Sequence, residues 1–218
     1  MVEENRLADD DLGIWQWALG IGREKLKVDK ALGKLCGVLD FYSTNFPVRK
    51  RIRKTLIALA ILIFIGYLLP EMFMMPVDGA TSKSYAQNSF WFYPWGKSIT
   101  HKGVDIFARK GTFVHSATPG IVVYKGQISR GGNVVLVLGP KWQLHYYAHL
   151  DSIAAGWMKP VSHSSLIGTV GTTGNAQGKP PHLHYAIRRM IPFLWKADKG
   201  PQGWKKMFYV NPIPLLNN

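Results

Sequence analysis

Residues 119–150 read PGIVVYKGQISRGGNVVLVLGPKWQLHYYAHL. Three β-rich runs stand in this stretch: Gly120–Lys125 (GIVVYK), Asn133–Leu138 (NVVLVL) and Gln143–His149 (QLHYYAH). Pro119-Gly120, Gly131-Gly132 and Gly139-Pro140 punctuate them. β-Branched and aromatic runs bounded by such breakers predict strands. Leu166–Val170 (LIGTV) and His182–Arg188 (HLHYAIR) have the same texture, with the breaker run Gly174–Pro181 (GNAQGKPP) between them. No long amphipathic helix separates these runs, which argues against a parallel βαβ sheet. The sequence therefore predicts a mainly β fold, a compact antiparallel sheet domain of roughly 140 residues with a single core.

Composition narrows the class. The chain has 218 residues, 47% of them apolar and 12% aromatic, which excludes disorder as the dominant state. A single cysteine, Cys36, excludes an intrachain disulfide framework. The formal net charge of +14 predicts an acidic partner. Residues 1–54 hold 11 Lys+Arg and 8 Asp+Glu; the remaining 16 and 5 fall after residue 54. The excess is thus spread through the C-terminal part, with no basic block resembling a nucleic-acid arm.

Upstream of the β-rich part, Thr55–Leu69 reads TLIALAILIFIGYLL, without a charge. A spanning helix needs about 20 residues. Adding Pro70–Met75 (PEMFMM) reaches that length and admits one charge, Glu71. Arg49, Lys50, Arg51, Arg53 and Lys54 abut the run, and after it only Lys83 is basic before Lys97. This is the positive-inside asymmetry, and it predicts an uncleaved anchor with a cytoplasmic N-terminus. The expected organisation is a cytoplasmic segment over 1–54, a transmembrane anchor over 55–75 and the β-domain over 76–218. Cys36 then lies on the reducing side. Within residues 1–54, Val28, Leu32, Leu35 and Leu39 have helical spacing with lysines between them, so this segment is expected to be partly helical.

All seven histidines fall in the β-domain. His182 and His184 flank Leu183 on an expected strand, where residues at i and i+2 share a face about 6.6 Å apart. Both rings can therefore reach one site. His101 and Asp105 form H-K-G-V-D; on a straight strand they would lie about 13 Å apart, too far for one ion. Gly103 permits a sharp bend that brings them together. His149 closes Tyr147-Ala-His149-Leu150, and by alternation it shares a strand face with Tyr147 and His145. Two histidines and one carboxylate, with an open position, form the usual ligand set of a catalytic zinc site, and further histidines can handle protons near neutral pH.

These motifs, in this order and approximate spacing, resemble the lysostaphin-type zinc metallopeptidases, also called LytM-like peptidoglycan endopeptidases. Gly111–Tyr124 (GTFVHSATPGIVVY) and Gly168-x-x-Gly171-x-x-Gly174 before Pro181-His182-Leu183-His184 are also similar to that family, as is the terminal Asn211–Pro214. The likeness covers about residues 76–216. It implies Zn2+ held by His101, Asp105 and His184, with His149 and His182 as catalytic histidines that are not ligands. It also implies a groove crossing an antiparallel sheet and, as substrate, the peptides of peptidoglycan. Two departures stand out: Gly174–Pro181 is longer than the shortest family version, and Ser89–Trp95 (SFWFYPW) is unusually aromatic.

The expected activity is that of a zinc metalloendopeptidase held at the bacterial cytoplasmic membrane, its catalytic domain on the periplasmic or extracellular side. The alternative is a catalytically inactive relative that binds cell wall and activates another hydrolase. All five histidine and aspartate positions are present, which favours the enzyme. A nucleic-acid partner is not expected, because charge alone suggests one and no reading motif accompanies it.

Overall fold

The computed structural model describes residues 47–217. The amphipathic pattern of Val28–Leu39, Cys36 and most of the 1–54 segment lie outside the described residues. The chain divides into two units at Leu59/Ala60, and the β-domain lies wholly in the second.

Helix α1 runs over Pro47–Leu68. It starts on proline, which is pre-set for a first helical turn, and it stops two residues before Pro70, which cannot continue it. Its apolar part covers 14 residues from Thr55, roughly 21 Å of helix against about 30 Å of hydrocarbon. Among the described residues, no helix is long and apolar enough to cross a membrane. The sequence-based span continued to Met75, but residues 69–75 are not helical. Instead Phe73 and Met75 pack against the core of the domain, and the Met74 amide donates to the Ala117 carbonyl.

Nine strands follow: β1 (Val104–Phe107), β2 (Phe113–His115), β3 (Gly120–Ile128), β4 (Gly132–Gly139), β5 (Gln143–Ile153), β6 (Pro160–Val161), β7 (Leu166–Val170), β8 (His182–Arg189) and β9 (Tyr209–Val210). The main path is β1-β8-β5-β4-β3-β6; β7 joins β2 to β5, and β9 pairs with β8. Every pairing is antiparallel. The mainly β, antiparallel expectation is met, and the five runs read from sequence correspond to β3, β4, β5, β7 and β8.

Alternation then sorts the faces. On β8, Leu183, Tyr185 and Ile187 are fully buried with Val104, Ile106, Val135, Val137 and Tyr147 in one hydrophobic cluster. The residues between them, His182, His184, Ala186 and Arg188, line a groove on the opposite face. One face of the sheet is therefore the core, and the other is the floor of a cleft of about 650 Å³.

Candidate metal centre and groove

Antiparallel register delivers the first two site residues. On β1 and β8, Asp105 pairs with His184 directly across the ladder, and Phe107 pairs with His182. Directly opposed side chains stand about 5 Å apart, so the carboxylate and imidazole meet without any loop. His184 Nδ1 lies 2.7 Å from Asp105 Oδ1.

His101 arrives from the segment before β1. Its Nε2 lies 3.1 Å from both Asp105 Oδ1 and His184 Nδ1. Gly103 makes the approach possible, by lack of bulk: a Cβ there would sit 2.4 Å from the Tyr185 carbonyl. The glycine matters here for close passage of two backbones. The donor atoms of His101, Asp105 and His184 all fall within 4.8 Å of one another.

The donor chemistry fits a cation. His101 Nδ1 faces the Ser89 carbonyl at 3.0 Å, so it carries the proton and donates to it. In the neutral ring Nε2 then presents a lone pair to a carboxylate oxygen. Two acceptors facing each other repel unless a proton or a metal ion lies between them. Burial opposes ionisation of Asp105, but the close approach of the His101 and His184 rings outweighs it and holds the carboxyl well below the usual carboxylate range. A buried carboxylate kept ionised between two imidazoles matches a zinc ligand set, with the Ser89 carbonyl orienting one ligand from behind.

His149 and His182 stand beside this cluster. Their ring centroids are 5.1 Å apart, and His149 lies 5.9 Å from His184. His149 Nδ1 donates to the Thr173 carbonyl at 2.8 Å, and His182 Nδ1 donates to the Pro180 carbonyl at 2.8 Å. Each ring is thereby fixed in orientation, with Nε2 left as the nitrogen able to exchange a proton with a bound molecule. Burial, then the neighbouring His184, pushes the His149 imidazole down to about 4. It is neutral at pH 7.

Alternation alone misplaces His149. His145 and Tyr147, expected on its face, are fully buried on the core side, where His145 Nδ1 bonds the Tyr185 hydroxyl at 2.7 Å. His149 has a left-handed φ of 63°. The β4–β5 register shifts between Asn133/Leu150 and Val135/Tyr147, so two β5 residues oppose one on β4. This bulge re-aims His149 into the groove. His115 and His163 take no part: His115 pairs with Asp78, and His163 bonds the Met72 carbonyl.

The aromatic segment supplies residues whose role sequence reasoning left open. Trp95 stacks on His101 with centroids 4.3 Å apart and lines the groove. The backbone around Trp91 and Phe92 exchanges hydrogen bonds with that of His101. Tyr146 meets His184 edge-on at 6.0 Å. The long Gly174–Pro181 insertion forms a wall of the groove through Asn175, Ala176, Lys179 and Pro180.

Residues 99–198 match the family model described as Peptidase family M23. A curated L-Ala--D-Glu endopeptidase of Bacillus subtilis is 36% identical over 137 residues, 57% of this chain and 42% of that protein. The murein hydrolase activator NlpD of Salmonella dublin is 33% identical over 123 residues, covering 52% of this chain and 32% of the other. The chain thus spans less than half the length of either relative. A solved structure from Ruminococcus gnavus that carries the LytM name superposes with a TM-score of 0.52 at 26% identity, over 82% of this chain and 76% of that one. Family match, relatives and fold agree on one assignment: the β-domain described here is a peptidase family M23 domain of the LytM-like kind that the sequence resembles.

Proposed function

We propose that the chain is a membrane-anchored zinc endopeptidase that hydrolyses peptide bonds in peptidoglycan stems or cross-links. The observation that carries this reading is the meeting of His101, Asp105 and His184 within 4.8 Å on the floor of a groove that also holds His149 and His182. The first three hold the metal. When bound, zinc supplies Lewis acidity toward the scissile carbonyl. His149, neutral and fixed through its Nδ1, takes a proton at Nε2 from the attacking water and returns it to the amine that leaves as the C–N bond breaks. His182, fixed in the same way, donates from Nε2 in its imidazolium form toward the oxygen on which charge develops.

Anchoring rests on α1. Its apolar side chains, Leu56, Ile57, Ile61, Leu62, Phe64 and Ile65 among them, are at least half exposed. Five basic residues precede them, which fits a cytoplasmic N-terminus and a domain on the periplasmic or extracellular side. The 14 helical apolar residues are fewer than the roughly 20 of a full crossing, so the anchoring reading rests on these exposed side chains and the basic flank rather than on length.

A second reading is favoured by the similarity to NlpD: a domain that activates another cell-wall hydrolase. One preparation separates the two. The purified full chain in detergent is expected to hold about one zinc per molecule and to release soluble fragments from sacculi, with Asp105→Ala losing both. Zinc content and hydrolysis unchanged in Asp105→Ala would sink the ligand assignment. No release by the zinc-loaded chain would favour the activator. A topology reporter fused after Asn218 tests orientation, and reporter activity in the cytoplasm would overturn it.

A further inference from the structure

The groove carries a charge pattern that hydrolysis itself does not require. Lys102, Arg130, Lys179 and Arg188 all line it, and Asp105 is the only acidic residue among those that do. Asp105 is already engaged by two histidines. Among the described residues, none of the four cations forms an ion pair, although Lys110, Lys141 and Lys206 elsewhere do.

Their placement brackets the metal-ligand cluster. Arg188 follows His184 by four residues on the groove face of β8, about 13 Å along the strand. Its guanidinium stands 5.9 Å from the centre of the Phe208 ring, which gives it a side wall. Lys179 approaches from the other end, three residues before His182, on the inserted wall. Lys102 adjoins His101. Its ammonium donates to the Ser98 and Thr100 carbonyls. Like charges gathered in a cleft with apolar walls focus a field onto whatever enters.

We propose that this groove reads free carboxylates: its substrate is a peptide carrying unamidated carboxyl groups near the cleaved bond, and Arg188 and Lys179 are specificity-determining residues. Arg188 presents a planar fork that matches a carboxylate bidentately, while Lys179 supplies a point charge at the opposite end. A chain of uncharged residues such as glycine gains nothing from either. The proposal rests on the peptidoglycan reading of the same groove and adds the chemical feature that the groove selects.

The test is binding, read separately from cleavage. Full chain in detergent is pelleted with purified sacculi, either native or with their carboxyls converted to amides. Native sacculi are expected to bind at least about tenfold tighter, with a preference that weakens in high salt. The Arg188→Gln/Lys179→Gln pair is expected to bring native binding down to the amidated level. Lys83→Gln/Lys159→Gln, which removes equal charge from exposed positions off the groove, is expected to change little. Equal binding to both kinds of sacculi overturns the proposal, as does an equal loss in the two double variants. Fragment release is measured in the same tubes. Carboxylate-dependent binding without release sinks the hydrolase and leaves carboxylate reading standing. Equal binding with release does the reverse.

Discussion

Tyr147 and His149 stand two residues apart on β5, yet they face opposite sides of the sheet. Tyr147 is fully buried in the core, and His149 lines the groove. A straight strand would put both on one face. The bulge opposite Val134 and the left-handed backbone at His149 make the difference. A non-glycine residue in that conformation costs of order 1–3 kcal/mol, and such strain gathers at working sites. The fold accepts that cost and gains a second imidazole beside the Asp105–His184 pair.

The first prediction follows from this geometry. His149 contacts the His184 ring but is not one of the three converging donors. His149→Ala is therefore expected to keep its zinc, measured by metal analysis, while turnover on sacculi falls about 10²- to 10⁴-fold, the usual worth of a positioned acid or base. Parallel loss of metal and turnover would make His149 a ligand and refute the assigned role.

What the sequence disclosed and what it hid divide along a physical line. Strand texture and two-residue alternation are local, so β3, β4, β5, β7, β8 and the shared face of His182 and His184 could be read from residues alone. The pairing of Asp105 with His184 is a matter of register between strands 79 residues apart, and nothing local encodes it. The reversal of His149 depends on a bulge defined by the partner strand. The hold of Ser89–Trp95 on His101 required the fold to bring an aromatic segment against a ligand. For α1, hydropathy foresaw an apolar run but not its helical end at Leu68, which Pro70 and the packing of Phe73 set.

Gly103 offers a test of that register. An added methyl would meet the Tyr185 carbonyl at 2.4 Å and the His184 ring at 3.0 Å. Gly103→Ala must push β1 away from β8. It is expected to cost about 1–3 kcal/mol in denaturant unfolding, as overpacking does, and to weaken zinc binding in chelator competition. Wild-type zinc affinity in this variant would mean that the close passage of the two backbones does not set the ligand geometry.

Trp95 makes a complementary case, because it touches a ligand without belonging to the sheet. Its ring covers one face of His101 at 4.3 Å, while the Ser89 carbonyl fixes the same imidazole through Nδ1. Trp95→Ala removes the cover and leaves the hydrogen bond. Zinc affinity is expected to fall about tenfold, the lower end for supporting contacts around a metal ligand, with thermal stability of the sheet nearly unchanged. Trp95→Phe should restore most of the affinity. An alanine variant with wild-type affinity would reduce Trp95 to a wall of the groove.

His145 yields a pH dependence that is independent of the metal. It is buried on the core side of β5 and bonds the Tyr185 hydroxyl, and burial pushes its imidazole from 6.5 down to about 3. The unfolded chain takes up a proton below pH 6.5, whereas the folded one does so only near pH 3. Stability from this residue is therefore full above pH 6.5 and is lost as pH falls toward 3, at a total cost on the order of 5 kcal/mol. His145→Asn keeps a polar partner for Tyr185 and removes the titration. Its unfolding free energy, lower at pH 7 for want of packing, should depend on pH less steeply than that of the wild type between pH 6.5 and 4. Identical slopes in the two proteins would mean that His145 takes up its proton over the same pH range folded as unfolded, and that burial does not hold it neutral.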